Sequence, residues 1–185
     1  MIRFGCVLAV LVLAAASELA WGNLTSSGRV PTASILSDDL VRVLMAVALA
    51  GAVVQALVLG RRISGLEVSC GVALCSAGLI LRSIAMIQLD GRYRMSPTFQ
   101  MDRQRMVTSG CYGRIRHPGY LALIMLILGL CLLISGVAAS LWVAPVVVSF
   151  VMRIALEEGL LTAEFGDPYR DYQASVPWKI VPHVF

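Results

Sequence analysis

The chain has 185 residues, of which 58% are hydrophobic and only 14% charged, with a net charge of +4. Soluble domains run roughly 45–50% apolar and 25% charged, so a soluble globular domain is excluded. Apolar runs of about 20 residues, the length that crosses a bilayer, recur instead, and the composition is that of an all-α polytopic membrane protein.

The first apolar run, Phe4 to Ala20, follows Arg3 and precedes "AAASELA", which imitates a secretory signal. The second covers Leu40 to Leu59, and "SDD" at Ser37 to Asp39 suits its N-terminus. "GRRISG" separates it from the third, Leu66 to Leu89. The polar segment from Gly91 to His117 holds six arginines (Arg92, Arg94, Arg103, Arg105, Arg114 and Arg116) against one acid, Asp102. With membrane helices on both flanks it suits lipid headgroups or an anionic cofactor, and nucleic acid is not expected as a partner.

Two shorter runs follow, Pro118 to Ile134 and Val137 to Ile154, joined by Ser135 and Gly136. So short a link predicts an antiparallel helical hairpin, with a kink at Pro145. From Glu157, "EEGLLTAEFGDPYRDY" places Leu160, Leu161 and Phe165 at helical spacing beside polar residues, an amphipathic helix that Gly166 ends. Asp167 and Pro168 look like the cap and first-turn proline of one more turn carrying Tyr169 and Tyr172. Pro177 and Pro182 predict an extended tail.

The expected fold is therefore about five transmembrane helices, with a C-terminal helical hairpin and a cytosolic amphipathic helix. Residues 1–65 would hold the first two helices. Residues 66–185 would form the core: the third helix, a loop over 90–117, the hairpin over 118–156 and the tail over 157–185. The arginine balance puts the loop and the C-terminus in the cytosol and the N-terminus outside. Cleavage of the first run would move the basic loop to the wrong side, which counts against cleavage without deciding it.

Chemistry concentrates in two stretches. In "RIRHPGY", the residue before proline is pushed from helical geometry, while Pro118 suits the first position of a helix. Arg116, His117 and the unpaired amides of that helix start would converge as an anion site, with the Tyr120 hydroxyl in the first turn. Arg114 reads as an interface anchor. In "RIALEEGLL", Arg153 and Glu157 share a helix face and Glu158 points about 100° away, as a solvated residue. Arg153 ends an apolar run, where a charge must face protein, water or a ligand. Arg82, late in the third helix, reads as snorkelling to the surface. Of the five cysteines, Cys6, Cys70, Cys75 and Cys131 lie in apolar runs and read as packing residues. Cys111 has no base beside it and is not expected to act as a nucleophile.

"MVTSGCYGRIRHPGY", then a hairpin, then "RIALEEGLLTAEFGDPYRDY" resembles the isoprenylcysteine carboxyl methyltransferases and their membrane relatives, including phospholipid methyltransferases. The resemblance runs from Leu79 to Pro182. It implies a multi-pass membrane methyltransferase that binds S-adenosyl-L-methionine in a cytosol-facing pocket closed by the loop, the hairpin and the C-terminal helix. No metal is implied. The acceptor would come from the membrane: a lipophilic or prenylated molecule, a prenylcysteine-type carboxylate foremost. By position, the cofactor would contact Gln104, Arg105, Met106, Val107, Tyr112, His117, Pro118, Gly119, Tyr120 and Glu157. Arg153 would bind the acceptor, and Arg153 and Glu157 would carry the catalytic roles. Ala122 stands where relatives often have glycine, and Gly159 where they have a third acid; both bear on the acceptor more than on the cofactor. An amine lipid or a small thiol as acceptor, or a non-catalytic subunit on the same scaffold, remain alternatives.

Overall fold

The structure, a computed structural model, describes residues 32–60, 62–89 and 106–185. The first apolar run and the arginine-rich loop as far as Arg105, with Gln104 and Arg105 among the expected cofactor contacts, lie outside the described residues. Within them the regular structure is entirely helical. Four stretches are long and apolar enough to cross a membrane: Leu40–Leu59, Gly65–Leu89, Pro118–Ser135 and Val137–Phe165. They coincide with the second to fifth runs expected from sequence.

Helix α1, Thr32–Leu59, starts two turns before the apolar stretch. Nothing from Thr32 to Ala50 is glycine or proline, so Ser37–Asp39 marks where the apolar part begins rather than where the helix does. Helix α2, Gly65–Leu89, opens on a reciprocal cap. The Ser64 amide donates to Glu67 Oε2 at 2.8 Å, and the Glu67 amide donates to Ser64 Oγ at 3.2 Å. The other carboxylate oxygen, Oε1, accepts the Val137 amide at 3.0 Å. One glutamate therefore ties the start of α2 to the turn after helix α3, Pro118–Ser135.

Helices α2 and α3 form the main interhelical seam, and small residues make it. A methyl group added to Gly129 would sit 2.6 Å from Cys75 Sγ and 2.8 Å from the Gly71 carbonyl oxygen. One on Gly78 would meet the Ala122 carbonyl at 2.9 Å. In lipid, where apolar burial gives helices little reason to pair, such backbone approach supplies the packing. Cys75 and Cys131 are buried in this interior, as the packing reading expected.

The return arm differs from expectation. Gly136, at φ 75°, ends α3, and Val137–Val143 form a 3₁₀ helix before α4, Ala144–Phe165, begins. Pro145 lies in the first turn of α4, where a missing N–H costs nothing. It starts the α-helix instead of kinking one. The 3₁₀ segment packs on α3, and Trp142 lays its ring over Gly51 of α1 while its Nε1 donates to Gln55 at 2.8 Å.

Helix α4 runs unbroken past Glu157 to Phe165, so the membrane arm and the amphipathic segment are one helix. Gly166, at φ 64°, ends it as expected, and itself caps α5, Asp167–Ser175. The tail is not extended. The amides of Lys179, Ile180 and Val181 all donate to the Phe185 carbonyl, at 2.9, 2.8 and 3.0 Å. The two prolines fix their own φ but not that of His183, whose φ of 65° reverses the chain.

Candidate active site

Three pieces of chain meet at the end of the bundle where α3 begins: Arg116–Tyr120, the second half of α4, and the segment Val176–Lys179. Their junction is backbone first. The Arg116 amide donates to the Trp178 carbonyl at 2.9 Å and the His117 amide to the Lys179 carbonyl at 2.8 Å. His117 is free to pair this way because it stands before Pro118, outside the helix.

On this frame sits a chain of three side chains. Arg153 Nε donates to the Tyr120 hydroxyl at 2.6 Å, and that hydroxyl donates to Glu157 Oε2 at 2.7 Å. The Tyr120 ring stacks on His117, with centroids 5.6 Å apart, and packs on Phe150 at 5.1 Å. The Arg153 guanidinium lies 5.8 Å from the centre of the same ring. His117, Tyr120, Arg153 and Glu157 therefore form one cluster.

Most donors of the expected anion site face protein acceptors instead. Arg116 Nε donates to Glu158 Oε1 at 2.8 Å and Arg116 Nη1 to the Val176 carbonyl at 2.6 Å. His117 Nε2 also lies 3.2 Å from Glu158 Oε1. The amides of Tyr120 and Leu121, in the first turn of α3, pair with the His117 carbonyl. The Arg116 side chain, His117 Nε2 and the Tyr120 and Leu121 amides thus all face protein acceptors.

Glu158 is the group the sequence reading misplaced. It is not solvated but 8% exposed, and besides Arg116 and His117 it pairs with Lys179 Nζ at 3.1 Å. Arg82 is likewise buried, at 2% exposure, rather than snorkelling. A methyl group on Gly119 would come 3.1 Å from its Nη1, so the arginine reaches under the first turn of α3. Sequence offered one signal for Glu158: no carboxylate of the chain itself had been set against Arg116 and His117.

The remaining expected residues divide. Pro118 is buried and Gly119 half-buried at the helix start. Val107 is half-buried beside Met106, which packs against buried Tyr169, Tyr172 and Val176. The Tyr112 carbonyl accepts the Tyr172 hydroxyl at 2.7 Å, in a neighbouring cluster rather than the Tyr120 one. Burial pushes the Tyr172 phenol up to about 12, so it serves there as a donor. Arg114 is exposed, as an anchor should be. Burial also raises the Cys111 thiol, whose Sγ and amide both donate to Gln88 Oε1, at 2.8 and 3.0 Å. A thiol kept protonated is a poor nucleophile. Among the described residues no cluster of metal ligands occurs.

Four helices long and apolar enough to cross a membrane, with a polar cluster gathered at one end of their bundle, define an integral membrane protein. Over residues 71–163 the chain matches the isoprenylcysteine carboxyl methyltransferase family. That stretch is half of the chain, and the chain belongs to this family. It is 32% identical over 102 residues to a protein-S-isoprenylcysteine O-methyltransferase of Schizosaccharomyces pombe, covering 54% of this chain and 43% of the relative. A protein of the same name from Tribolium castaneum is 28% identical over 108 residues, covering 57% and 38%. The matched regions thus span less than half the length of these curated relatives. The fold is similar to the solved structure of a eukaryotic intramembrane Ras methyltransferase, with a TM-score of 0.72 and 23% identity, over 98% of this chain and 67% of that one.

Proposed function

We propose that the protein is a membrane methyltransferase that uses S-adenosyl-L-methionine to methylate a lipophilic acceptor, a prenylcysteine-type carboxylate foremost. The observation that carries this reading is the chain from Arg153 through Tyr120 to Glu157. Arg153 lies one turn, about 6 Å, further into the apolar part of α4 than Glu157. A cation on the lipid side and a carboxylate on the water side suit an anionic lipidic acceptor and a cationic, water-soluble cofactor.

The residues present fit that cofactor on a further count. The Tyr169 hydroxyl is buried and has no hydrogen-bond partner among the described residues, and it lies within electrostatic reach of Glu157, Glu158 and Arg116. Buried polar groups are normally paired, and a ligand bearing an amino acid and a nucleoside has groups to pair with it. When bound, the cofactor supplies an electrophilic methyl group on a positively charged sulfur. His117, Tyr120 and Glu157 would hold it, with Met106 and Tyr112 from the neighbouring cluster and Gln104 and Arg105 from the loop.

Arg153 would orient the acceptor carboxylate, and Tyr120 fixes the plane of its guanidinium through Nε. Positioning of this kind is the main source of rate when no proton has to move, and a carboxylate acceptor needs no general base. The rings of Tyr120 and Phe150 exclude water, which favours a reaction that consumes charge. The excess of arginine in the basic loop supports a cytosolic position for this face and for the C-terminus.

Membranes carrying the protein, given methyl-labelled S-adenosyl-L-methionine and an S-farnesylated peptide with a free C-terminal carboxylate, test the reading. Base-labile label on the peptide, released as methanol, supports it. Base-stable label in amine lipids or small thiols selects those acceptors instead. Cofactor binding without transfer to anything would leave a non-catalytic subunit.

A further inference from the structure

Glu158 is engaged by three side chains, yet the reaction above assigns it no part. Its Oε1 accepts Arg116 Nε at 2.8 Å and faces His117 Nε2 at 3.2 Å, while Oε2 takes Lys179 Nζ at 3.1 Å. With two cations upon it the group is an ionised carboxylate, able only to accept. The nitrogen facing it must bring the proton, so His117 carries its hydrogen on Nε2. In the neutral ring Nδ1 is then an acceptor. Nδ1 lies on the Glu157 side, 3.9 Å from Oε2, beyond hydrogen-bond reach.

Two acceptors, one anionic, thus stand 3.9 Å apart. A single ammonium nitrogen about 2.9 Å from each spans such a gap. The other groups around the ring do not compete for Nδ1: Tyr120 stacks on its face and gives its proton to Glu157, and Arg116 and Lys179 are held by Glu158.

We propose that Glu158 is a positioning residue that holds His117 in its Nε2–H form, so that Nδ1 and Glu157 together accept from an ammonium group of the bound cofactor. The identity of the ligand rests on the methyltransferase reading; the tautomer does not.

The test is nitrogen NMR of the full-length, histidine-labelled protein in detergent. The chain has two histidines, and His183→Asn, at a position whose φ of 65° asparagine tolerates, assigns the signals. Spectra are taken with and without S-adenosylhomocysteine, under conditions where the ring is neutral. The expected result is an unprotonated Nδ1 and a protonated Nε2, with Nδ1 shifting when the ligand is added. Glu158→Gln, whose amide both donates and accepts, should mix the two tautomers and weaken S-adenosylhomocysteine binding at least tenfold. Glu158→Asp should restore the Nε2–H form in part. A protonated Nδ1 in the unmodified protein overturns the proposal even if Glu158→Gln does not fold. An unchanged tautomer in folded Glu158→Gln overturns it as well. The expected tautomer with no response to S-adenosylhomocysteine would overturn the ligand half, and would count against the methyltransferase reading rather than against the role of Glu158 toward His117.

Discussion

Arg153 and Glu157 communicate through one hydroxyl: Tyr120 receives from the first at 2.6 Å and gives to the second at 2.7 Å. The two charges are four residues apart on α4, and an ordinary helix pair would contribute under about 0.5 kcal/mol and respond alike to loss of either member. Here the responses should separate. Glu157→Ala should lose cofactor affinity by roughly 1.5–3 kcal/mol, the scale for a hydrogen bond to a charged group. Arg153→Ala should bind cofactor nearly as before and turn over very slowly, and Arg153→Lys should rescue little, because an ammonium lacks the planar fork that fits a carboxylate. Calorimetric affinity and turnover on each variant decide; equal losses of cofactor binding would break the assignment.

Tyr120→Phe keeps the ring stack on His117 and Phe150 and removes only the hydroxyl. Turnover should fall by more than cofactor affinity does, since Arg153 loses the acceptor that fixes its plane while Glu157 remains in place. A variant with unchanged turnover would mean that the hydroxyl is a bystander.

Glu158→Ala should be the most destabilising single change at this end of the bundle. It leaves Arg116 buried without its carboxylate, a loss of about 3–5 kcal/mol for a broken buried pair. Lys179→Ala should cost far less, because the lysine side chain is 29% exposed and water replaces part of what it gains. Thermal unfolding in one detergent, compared across the two variants, checks the order.

Gly129→Ala should loosen the α2–α3 seam by about 1–3 kcal/mol, the range for overpacking. The added methyl would face Cys75 Sγ at 2.6 Å and the Gly71 carbonyl at 2.8 Å. Adding Cys75→Ala should relieve the first clash and not the second, so the double variant should recover only part of the loss. Full recovery would show that the backbone approach is not what limits the seam.

Topology reporters check the orientation. One fused after Phe185 should appear cytosolic and one before Met1 outside, as the arginines between Gly91 and His117 require. A mature chain starting near Ser17 or Trp21 would overturn both the five-helix count and the orientation.

Legibility from sequence followed the range of the interactions. The four described spans and Gly166 as a helix end were readable because hydropathy and a helix-ending glycine are local signals, whereas the grouping of His117, Tyr120, Arg153 and Glu157 came only from the resemblance. Glu158 was not readable. Helical spacing places it off the Glu157 face, but what covers that direction is Arg116 and His117, 42 and 41 residues away in sequence. The buried course of Arg82 escaped for the same reason, since it depends on α3 lying over α2, as the approach of Gly119 to Arg82 shows. Pro145 was read as an interruption because periodicity does not separate a 3₁₀ start from a continuous α-helix.

The pairing of the Arg116 and His117 amides with the carbonyls of Trp178 and Lys179 also sets an order of assembly. The α2–α3 seam joins neighbouring elements, which close early, whereas contacts across long loops must await them. During synthesis, every helix of the bundle leaves the ribosome before Lys179 does. The bundle therefore has to insert while Glu158 still lacks one of its cations and His117 its backbone partner. A released chain truncated before residue 176 would keep its helices and have no finished site, so competence to bind a ligand should appear last, as a separate event after insertion.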